Sequence, residues 1–292
     1  MADLKPDRTP ALAAVNLAAV LFGSTALFGK LPISPVWIVG GRAAFAAATL
    51  FAIVLIQRRK AVGGVPFKGA LMTGMLLALH WVSFFASVQW ANVAIATLTF
   101  ATFPLFTIVF QSVLRRRIPS LVEFGAGLAI IVGVALICGP GLPATPKAQL
   151  GAIVGVVSAV SFALFGLMSQ TMTRSADPVR LSLVQNLVVT LFLVPNLIFA
   201  APMPLTVRDW GLLALLGVVA TAGSHQLYFY ALKRLPAAVC GAFVSLEPVY
   251  AILFAAVMFK EPLGLPVVVS AALIVAASML LLRRVEPEFV AP

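Results

Sequence analysis

Long apolar runs dominate this chain and leave few choices for its fold. Most of the runs have the roughly 17–25 residues that a transmembrane helix needs, and the short segments between them require antiparallel neighbours. Only 10% of the 292 residues are charged, against about 25% in soluble domains. The sequence therefore predicts an all-α polytopic membrane protein, its first run an uncleaved helix. We expect ten transmembrane helices at residues 11–29, 35–57, 68–89, 92–114, 121–138, 148–171, 178–200, 208–231, 237–259 and 264–282.

The basic residues predict how the chain crosses the membrane. Fifteen of them lie at the termini and in alternate loops, while the intervening loops hold only Lys30, Lys147, Arg208 and Lys260. Because cytoplasmic loops are enriched in Lys and Arg, both termini are expected in the cytoplasm, with the protein in a bacterial inner membrane. The net charge of +11 then indicates contact with anionic lipid rather than nucleic acid. The fifteen residues are Lys5, Arg8, Arg58, Arg59, Lys60, Lys68, Arg115, Arg116, Arg117, Arg174, Arg180, Lys233, Arg234, Arg283 and Arg284.

An internal repeat divides the ten runs into two halves. The stretch from His80 to Pro104 returns in altered form as His225 to Pro248, and Phe22 in the first half matches Phe162 in the second. Each half holds five runs, and since five is odd, the second copy must lie inverted in the membrane. Inverted repeats of this kind are typical of alternating-access transporters. The predicted units are residues 1–139 and 148–292, joined by a linker at 140–147.

Sequence motifs for catalysis or cofactor binding are lacking. The chain contains no GxxxxGK[ST], HExxH or GxSxG pattern, which argues against an ATPase, a zinc protease and an α/β-hydrolase. Its two cysteines, Cys138 and Cys240, both lie in apolar runs, so neither a disulfide framework nor a metal site is indicated. We expect a protein that is not an enzyme and needs no cofactor.

The ninth run carries a family resemblance. It reads SLEPVYAILFAAVMFKEPLG, with a Glu-Pro pair at Glu247-Pro248 inside the run and a second at Glu261-Pro262 at its end. This pattern resembles the closing repeat of the drug/metabolite transporter superfamily, EamA type, and the chain looks most like bacterial YddG-type amino-acid exporters. The resemblance implies five plus five helices with both ends inside. The first half departs from the pattern, because Phe103 stands where the second half has Glu247.

Three polar residues inside the runs are candidates for substrate binding. Glu247 lies about ten residues into its run, where an ionised carboxylate is costly unless it is paired or faces water. It is expected either to contact a substrate ammonium or carry a proton, or to cap the backbone beside Pro248. Arg42 is expected either to receive a substrate carboxylate or pair with Glu247, or to reach outward to the interface. Its repeat mate, Gln185, supports an inward-facing position for both.

Aromatic and histidine side chains complete the candidate set. Glu247 shares one helical face with three aromatic residues, Phe243, Tyr250 and Phe254. The matching face of the fourth run carries Thr99, Phe103, Phe106 and Phe110. Two such faces suit an apolar or aromatic solute with an amine, although aromatic stripes also serve plain helix packing. The prolines at matching places in the two halves are expected to act as hinges, with ordinary helix kinks as the alternative. The full set comprises His80, Phe84, Thr99, Phe103, Arg42, Gln185, Tyr228, Phe243, Glu247 and Tyr250 for substrate binding, and Pro104 and Pro248 for gating.

These observations predict a secondary transporter for small molecules. The expected substrates are amino acids, with aromatic or hydrophobic ones preferred, exported by alternating access through a central cavity. The alternative within the same fold is an exporter of multiple drugs or of other small metabolites. A monomer in contact with membrane lipid is consistent with this sequence.

Overall fold

The computed structural model describes residues 9–57, 65–114, 116–138, 145–173, 176–199, 206–232, 234–235 and 243–285. Within these residues the chain is helical and contains no strand. The predicted linker at 140–144, the first part of the ninth run at 237–242 and Cys240 lie outside the described residues. The helices are α1 (Thr9–Thr25, continued by a 3-10 turn at Ala26–Lys30), α2 (Pro35–Ile56), α3 (Phe67–Trp90), α4 (Val93–Phe100 and Phe103–Leu114), α5 (Leu121–Cys138), α6 (Pro146–Thr173), α7 (Pro178–Phe199), α8 (Val207–Gly217, a π segment at Val218–Gly223, and Ser224–Leu232), α9 (Glu247–Phe259) and α10 (Leu265–Val285).

Nine of the predicted runs agree with these helices to within a few residues. The ninth run along the chain, whose residues 237–242 lie outside the described residues, ends at Phe259 as predicted. Seven apolar helices of the described chain are long enough to cross a membrane, and the remaining three, within α5, α9 and α10, are shorter. The fold is that of a polytopic membrane protein built from two inverted five-helix repeats. The face on which α1 begins is called here the N-terminal face, and the face on which it ends, at Lys30, the Lys30 face.

Polar residues at the membrane faces determine where many helices begin. Ser34 accepts a hydrogen bond from the Trp37 N–H at the start of α2, and Asn92 accepts one from Ile95 at the start of α4. Such caps satisfy backbone donors that have no partner inside the helix. Equivalent caps stand before α5, α6, α7 and α8, at Ser120, Thr145, Asp177 and Thr206.

The two repeats share a helix interruption beside the matched prolines. α4 breaks at Ala101–Thr102, just before Pro104, and the chain turns at the equivalent Ser245–Leu246, just before Pro248. The Thr102 N–H donates to the carbonyl of Thr99 at 3.3 Å, and the matching Leu246 N–H donates to Phe243 at 3.0 Å. Proline has no N–H to continue the helical hydrogen bonding, so the predicted kinks occur as short breaks.

Helix packing follows the pseudo-symmetry of the repeats. α3 packs on α6 and α7, while α8 packs on the matching helices α1 and α2. α2 packs on α7, α4 on α9 and α5 on α10, and each of these pairs joins a helix to one of the other repeat. Exchanging each helix for its counterpart five places along therefore reproduces the main contacts.

Matched glycines allow the closest of these contacts. A Cβ atom on Gly217 of α8 would lie 2.6 Å from the carbonyl oxygen of Arg42 on α2. A Cβ on Gly74 of α3 would lie 3.2 Å from the carbonyl oxygen of Gln185 on α7. Both pairs are related by the same offset along the sequence, so the repeat brings α2 against α8 as it brings α7 against α3.

The largest buried apolar cluster lies toward the Lys30 face. It joins the parts of α1, α2, α3, α4, α7, α8 and α9 that approach this face, so these helices close the bundle there. Smaller clusters nearer the N-terminal face include one between α1 and α8 and another between α3, α6 and α7. Members of the large cluster near the Lys30 face include Ala26, Ile33, Trp37, Ile38, Val88, Val93 and Ala255.

Candidate substrate-binding site

Arg42 lies at the centre of the polar interior. It is 4% exposed, and its Nε donates a hydrogen bond to the Thr221 hydroxyl at 3.1 Å. Its guanidinium lies over the ring of Trp81, 4.1 Å from the ring centre, a distance at which the ring face attracts a cation. The side chain is thus held between α8 and α3 instead of reaching outward to the membrane interface.

Glu247 provides the opposite charge. It is half-buried at the start of α9, and no hydrogen bond or ion pair within the described residues engages its carboxylate. Arg42 and Glu247 lie within electrostatic range of each other without forming an ion pair. Arg42 and Glu247 thus place opposite charges in the interior without a direct contact between them.

A tyrosine next to Glu247 links α9 to α1. Tyr250 donates its hydroxyl proton to Oδ1 of Asn16 at 2.7 Å. Gly23 of α1 permits this close approach, because a Cβ atom there would lie 2.8 Å from the Cβ of Tyr250 and 3.0 Å from the carbonyl oxygen of Glu247. The backbone of Glu247 consequently lies at the α1–α9 contact.

Aromatic rings gather around His80 on the other side of the interior. The ring of His80 lies 4.8 Å from that of Phe162 and 4.9 Å from that of Phe100. Phe103 stacks on Phe100 at 5.4 Å and meets Phe162 at 5.1 Å. His80 is held in this cluster by a 2.7 Å hydrogen bond between its Nδ1 and the Ser158 hydroxyl.

A second, smaller aromatic group surrounds His225. Its ring lies 5.6 Å from Phe22, and the Tyr228 ring lies 6.4 Å from Phe22. Nδ1 of His225 is 2.8 Å from the carbonyl oxygen of Thr221 on its own helix. Phe243 is half-buried and packs against the α1–α8 cluster, so it contributes to the same wall.

Two of the predicted residues contact neighbouring helices instead of open space. The Thr99 hydroxyl donates to the carbonyl oxygen of Ile95 in its own helix and lies against Gly155 of α6. Gln185 is 4% exposed and donates to the hydroxyls of Thr73 and Ser169. Both side chains therefore have satisfied hydrogen bonds at helix contacts, and their role in substrate binding stays a prediction.

The structure adds residues that the sequence prediction left out of the site. The second-repeat phenylalanine, Phe162, and its mate Phe22 matched in the sequence, and that match was the signal for their importance. Trp81, Thr221 and Asn16 gave no comparable signal, since their roles depend on how neighbouring helices are rotated. Phe84, which was predicted to bind substrate, is buried against Phe100, and its role stays a prediction.

The polar groups and the larger aromatic cluster lie mainly on different helices. Arg42, Thr221 and Glu247 lie on α2, α8 and α9, and the cluster around His80 lies on α3, α4 and α6. The smaller aromatic group lies on α1 and α8. Within the described residues no three His, Cys, Asp or Glu side chains converge as metal ligands.

Comparison with known proteins assigns a family. The model of the EamA-like transporter family matches residues 9–139 and 149–283. The chain is 26% identical to the uncharacterized transporter YetK of Bacillus subtilis over 85% of this chain and 80% of that one. It is 28% identical to the pseudopaline exporter CntI of Pseudomonas aeruginosa, over 59% of this chain and 60% of that one. A crystal structure with 18% identity covers 96% of this chain with a TM-score of 0.67, which shows a shared fold. The chain belongs to the EamA-like transporter family, in the drug/metabolite transporter superfamily.

Proposed function

We propose that this transporter exports amino acids, preferring aromatic and hydrophobic ones, by alternating access. One observation carries the proposal: the half-buried carboxylate of Glu247 has no ion pair within the described residues and lies within the electrostatic range of Arg42, in a bundle whose helices α3, α4 and α6 carry a cluster of aromatic rings. A zwitterion with an apolar side chain matches all three features.

The proposed binding mode assigns one role to each group. Glu247 receives the substrate ammonium and Arg42 the carboxylate, since charge-assisted hydrogen bonds are the strongest available to such groups. The substrate side chain lies against Phe103 and Phe162, where an aromatic ring gains from edge or offset stacking. Thr221 and Trp81 position Arg42 and make no contact with the substrate themselves.

The inverted repeats supply the transport mechanism. Residues 1–139 and 148–292 are the proposed moving halves, and the breaks beside Pro104 and Pro248 are the proposed hinges. Because the halves have related structures, exchanging their conformations opens the site to the opposite face. We propose export as the direction. It is supported by the exporter function of the CntI relative and by the basic residues at the termini and in alternate loops of the sequence, which favour cytoplasmic termini.

The second candidate is an exporter of multiple drugs or of other small metabolites. The aromatic cluster and Glu247 favour a cationic aromatic compound equally well. Such a compound has no carboxylate for Arg42 to bind, so the dependence of binding on Arg42 separates the two candidates.

Transport by purified protein in liposomes tests the proposal. Labelled phenylalanine, tryptophan, leucine and a cationic dye are compared, with and without a pH gradient. We expect uptake or exchange of the aromatic amino acids by the wild type and strong loss in Glu247→Gln, with Glu123→Gln as a charge-matched control far from the interior. Dye transport without transport of any amino acid would overturn the proposal in favour of the second candidate.

A further inference from the structure

Matching turns end α4 and α9 at opposite faces of the bundle. Arg116 has a φ angle of 50° and Lys260 one of 54°, a left-handed conformation that is uncommon for residues other than glycine. The Arg117 N–H donates to Ser112 at 3.0 Å, and the Glu261 N–H lies 3.5 Å from the carbonyl oxygen of Ala255. Each turn therefore directs the charged residue that follows it back toward the bundle.

Glu261 and Arg117, the charged residues that follow the two turns, bind partners in different parts of the chain. Nζ of Lys30, at the end of α1, lies 2.5 Å from Oε1 of Glu261, and the same oxygen lies 3.5 Å from the backbone N–H of Val93 in α4. Arg117 instead makes two hydrogen bonds, at 2.8 and 2.7 Å, with Glu123 of the neighbouring α5.

The two ion pairs consequently have different places in the architecture. Lys30 and Val93 belong to the first repeat and Glu261 to the second, so this ion pair joins the two repeats. It lies at the Lys30 face, above the large apolar cluster, with the side chains 28% and 15% exposed. Arg117 and Glu123 both belong to the first repeat, and their ion pair joins consecutive helices at the N-terminal face.

We infer that the Lys30–Glu261 ion pair is a latch that holds the Lys30 face closed and must break when the transporter opens there. The inference rests on the alternating-access mechanism proposed above. Opening this face separates the ends of α1, α4 and α9, because the buried cluster beneath the ion pair joins these ends. Within the described residues, the Lys30–Glu261 ion pair connects the end of α1 to the end of α9, so it must break when these ends move apart. Removing either charge shifts the equilibrium toward the state open at the Lys30 face.

Thiol labelling measures this opening directly. In a variant with Cys138→Ala and Cys240→Ser, Ala26→Cys places a thiol at a position that is 1% exposed in the large cluster. A membrane-impermeant thiol reagent is added to intact cells and, separately, to inverted vesicles. We expect Glu261→Gln and Lys30→Gln to react with reagent added on the side of the Lys30 face at least about threefold faster than the parent, as loss of a partly exposed ion pair implies. The exchange Lys30→Glu with Glu261→Lys should restore slow labelling.

Glu123→Gln is the matched control, since it removes the ion pair within one repeat and should leave the labelling rate unchanged. Equal labelling of the parent and Glu261→Gln from both sides would overturn the latch, as would fast labelling in the charge-exchanged protein. The labelling does not depend on the substrate, so a failure of amino-acid transport leaves this test valid. Conversely, amino-acid transport with unchanged labelling would reject the latch alone.

Discussion

His80 on α3 and Phe162 on α6 hold their rings 4.8 Å apart. Their mates in the other repeat, His225 and Phe22, lie 5.6 Å apart. The same pair of rings thus marks the α3–α6 contact and its symmetric counterpart between α8 and α1. The hydrogen bonds differ: His80 bonds to Ser158 on the neighbouring helix, whereas His225 bonds within its own helix. The repeat preserves the packing and changes the polar chemistry.

Gly217→Ala should destabilise the protein by about 1–3 kcal/mol, as overpacking of helix contacts does. The added methyl group would lie 2.6 Å from the backbone oxygen of Arg42, and backbone cannot move aside as a flexible side chain can. Thermal unfolding of the detergent-solubilised protein measures the effect. Gly211→Ala on the same helix is the control, because its Cβ would meet nothing within 4 Å. Equal unfolding temperatures for the two variants would contradict this packing.

Much of the fold could be predicted because membrane helices leave strong sequence signals. Run length located the helices, and matched rare residues such as His80 and His225 revealed the repeat. The breaks beside Pro104 and Pro248 were expected at the correct places, because proline removes a backbone donor whatever its surroundings. The π segment of α8 was not predicted, since no comparable local signal marks it.

Less of the candidate site could be predicted, because side-chain partners depend on helix rotation. Arg42 was expected in the interior, yet its hydrogen bond to Thr221 spans 179 positions of the sequence. Thr221 lies in the π segment, where its hydroxyl bonds to Leu216 five residues back. The wider turn changes which residues of α8 face α2, and sequence periodicity does not report such a shift. The position of Thr99 against Gly155 of α6 was likewise not indicated by the sequence, which predicted only that its helical face lines the cavity.

Glu247→Gln should weaken binding of an aromatic amino acid at least about tenfold, because a charge-assisted hydrogen bond contributes about 1.5–3 kcal/mol. Expression and thermal stability should stay near the wild type, since the carboxylate has no hydrogen-bond partner within the described residues. Equilibrium binding to purified protein gives the affinity. Unchanged affinity would reassign Glu247 to a structural role beside Pro248.

Arg42→Gln should remove the preference for ligands that carry a carboxylate. Phenylalanine and phenethylamine share a ring and an amine, so the ratio of their affinities isolates the carboxylate and cancels any general loss of folded protein. We expect wild type to favour phenylalanine and the variant to bind the two alike. Arg42→Lys should recover the preference only in part, because lysine keeps the charge but loses the planar guanidinium over Trp81. An unaltered ratio in Arg42→Gln would favour the drug-exporter alternative.

Pro104→Ala should slow transport without lowering stability. Alanine restores a backbone donor that can reach the carbonyl of Phe100, so the break in α4 can close into continuous helix. Pro195→Ala is the control, because Pro195 lies inside α7, where the helix continues without a break. Initial transport rates in liposomes, normalised to the amount of protein, compare the two. A normal rate in Pro104→Ala would show that the break is a static feature of the fold.

Both termini should lie in the cytoplasm, with Lys30 on the opposite side of the membrane. The prediction follows from the fifteen basic residues at the termini and in alternate loops of the sequence. It follows also from the five-plus-five helix arrangement, because an even number of crossings returns the chain to the side on which it began. Green fluorescent protein fused after Pro292 should fluoresce, because it folds in the cytoplasm, and alkaline phosphatase fused there should be inactive. Alkaline phosphatase fused after Gly141, between α5 and α6, should be active. The reverse pattern would contradict the prediction and place the Lys30 face in the cytoplasm.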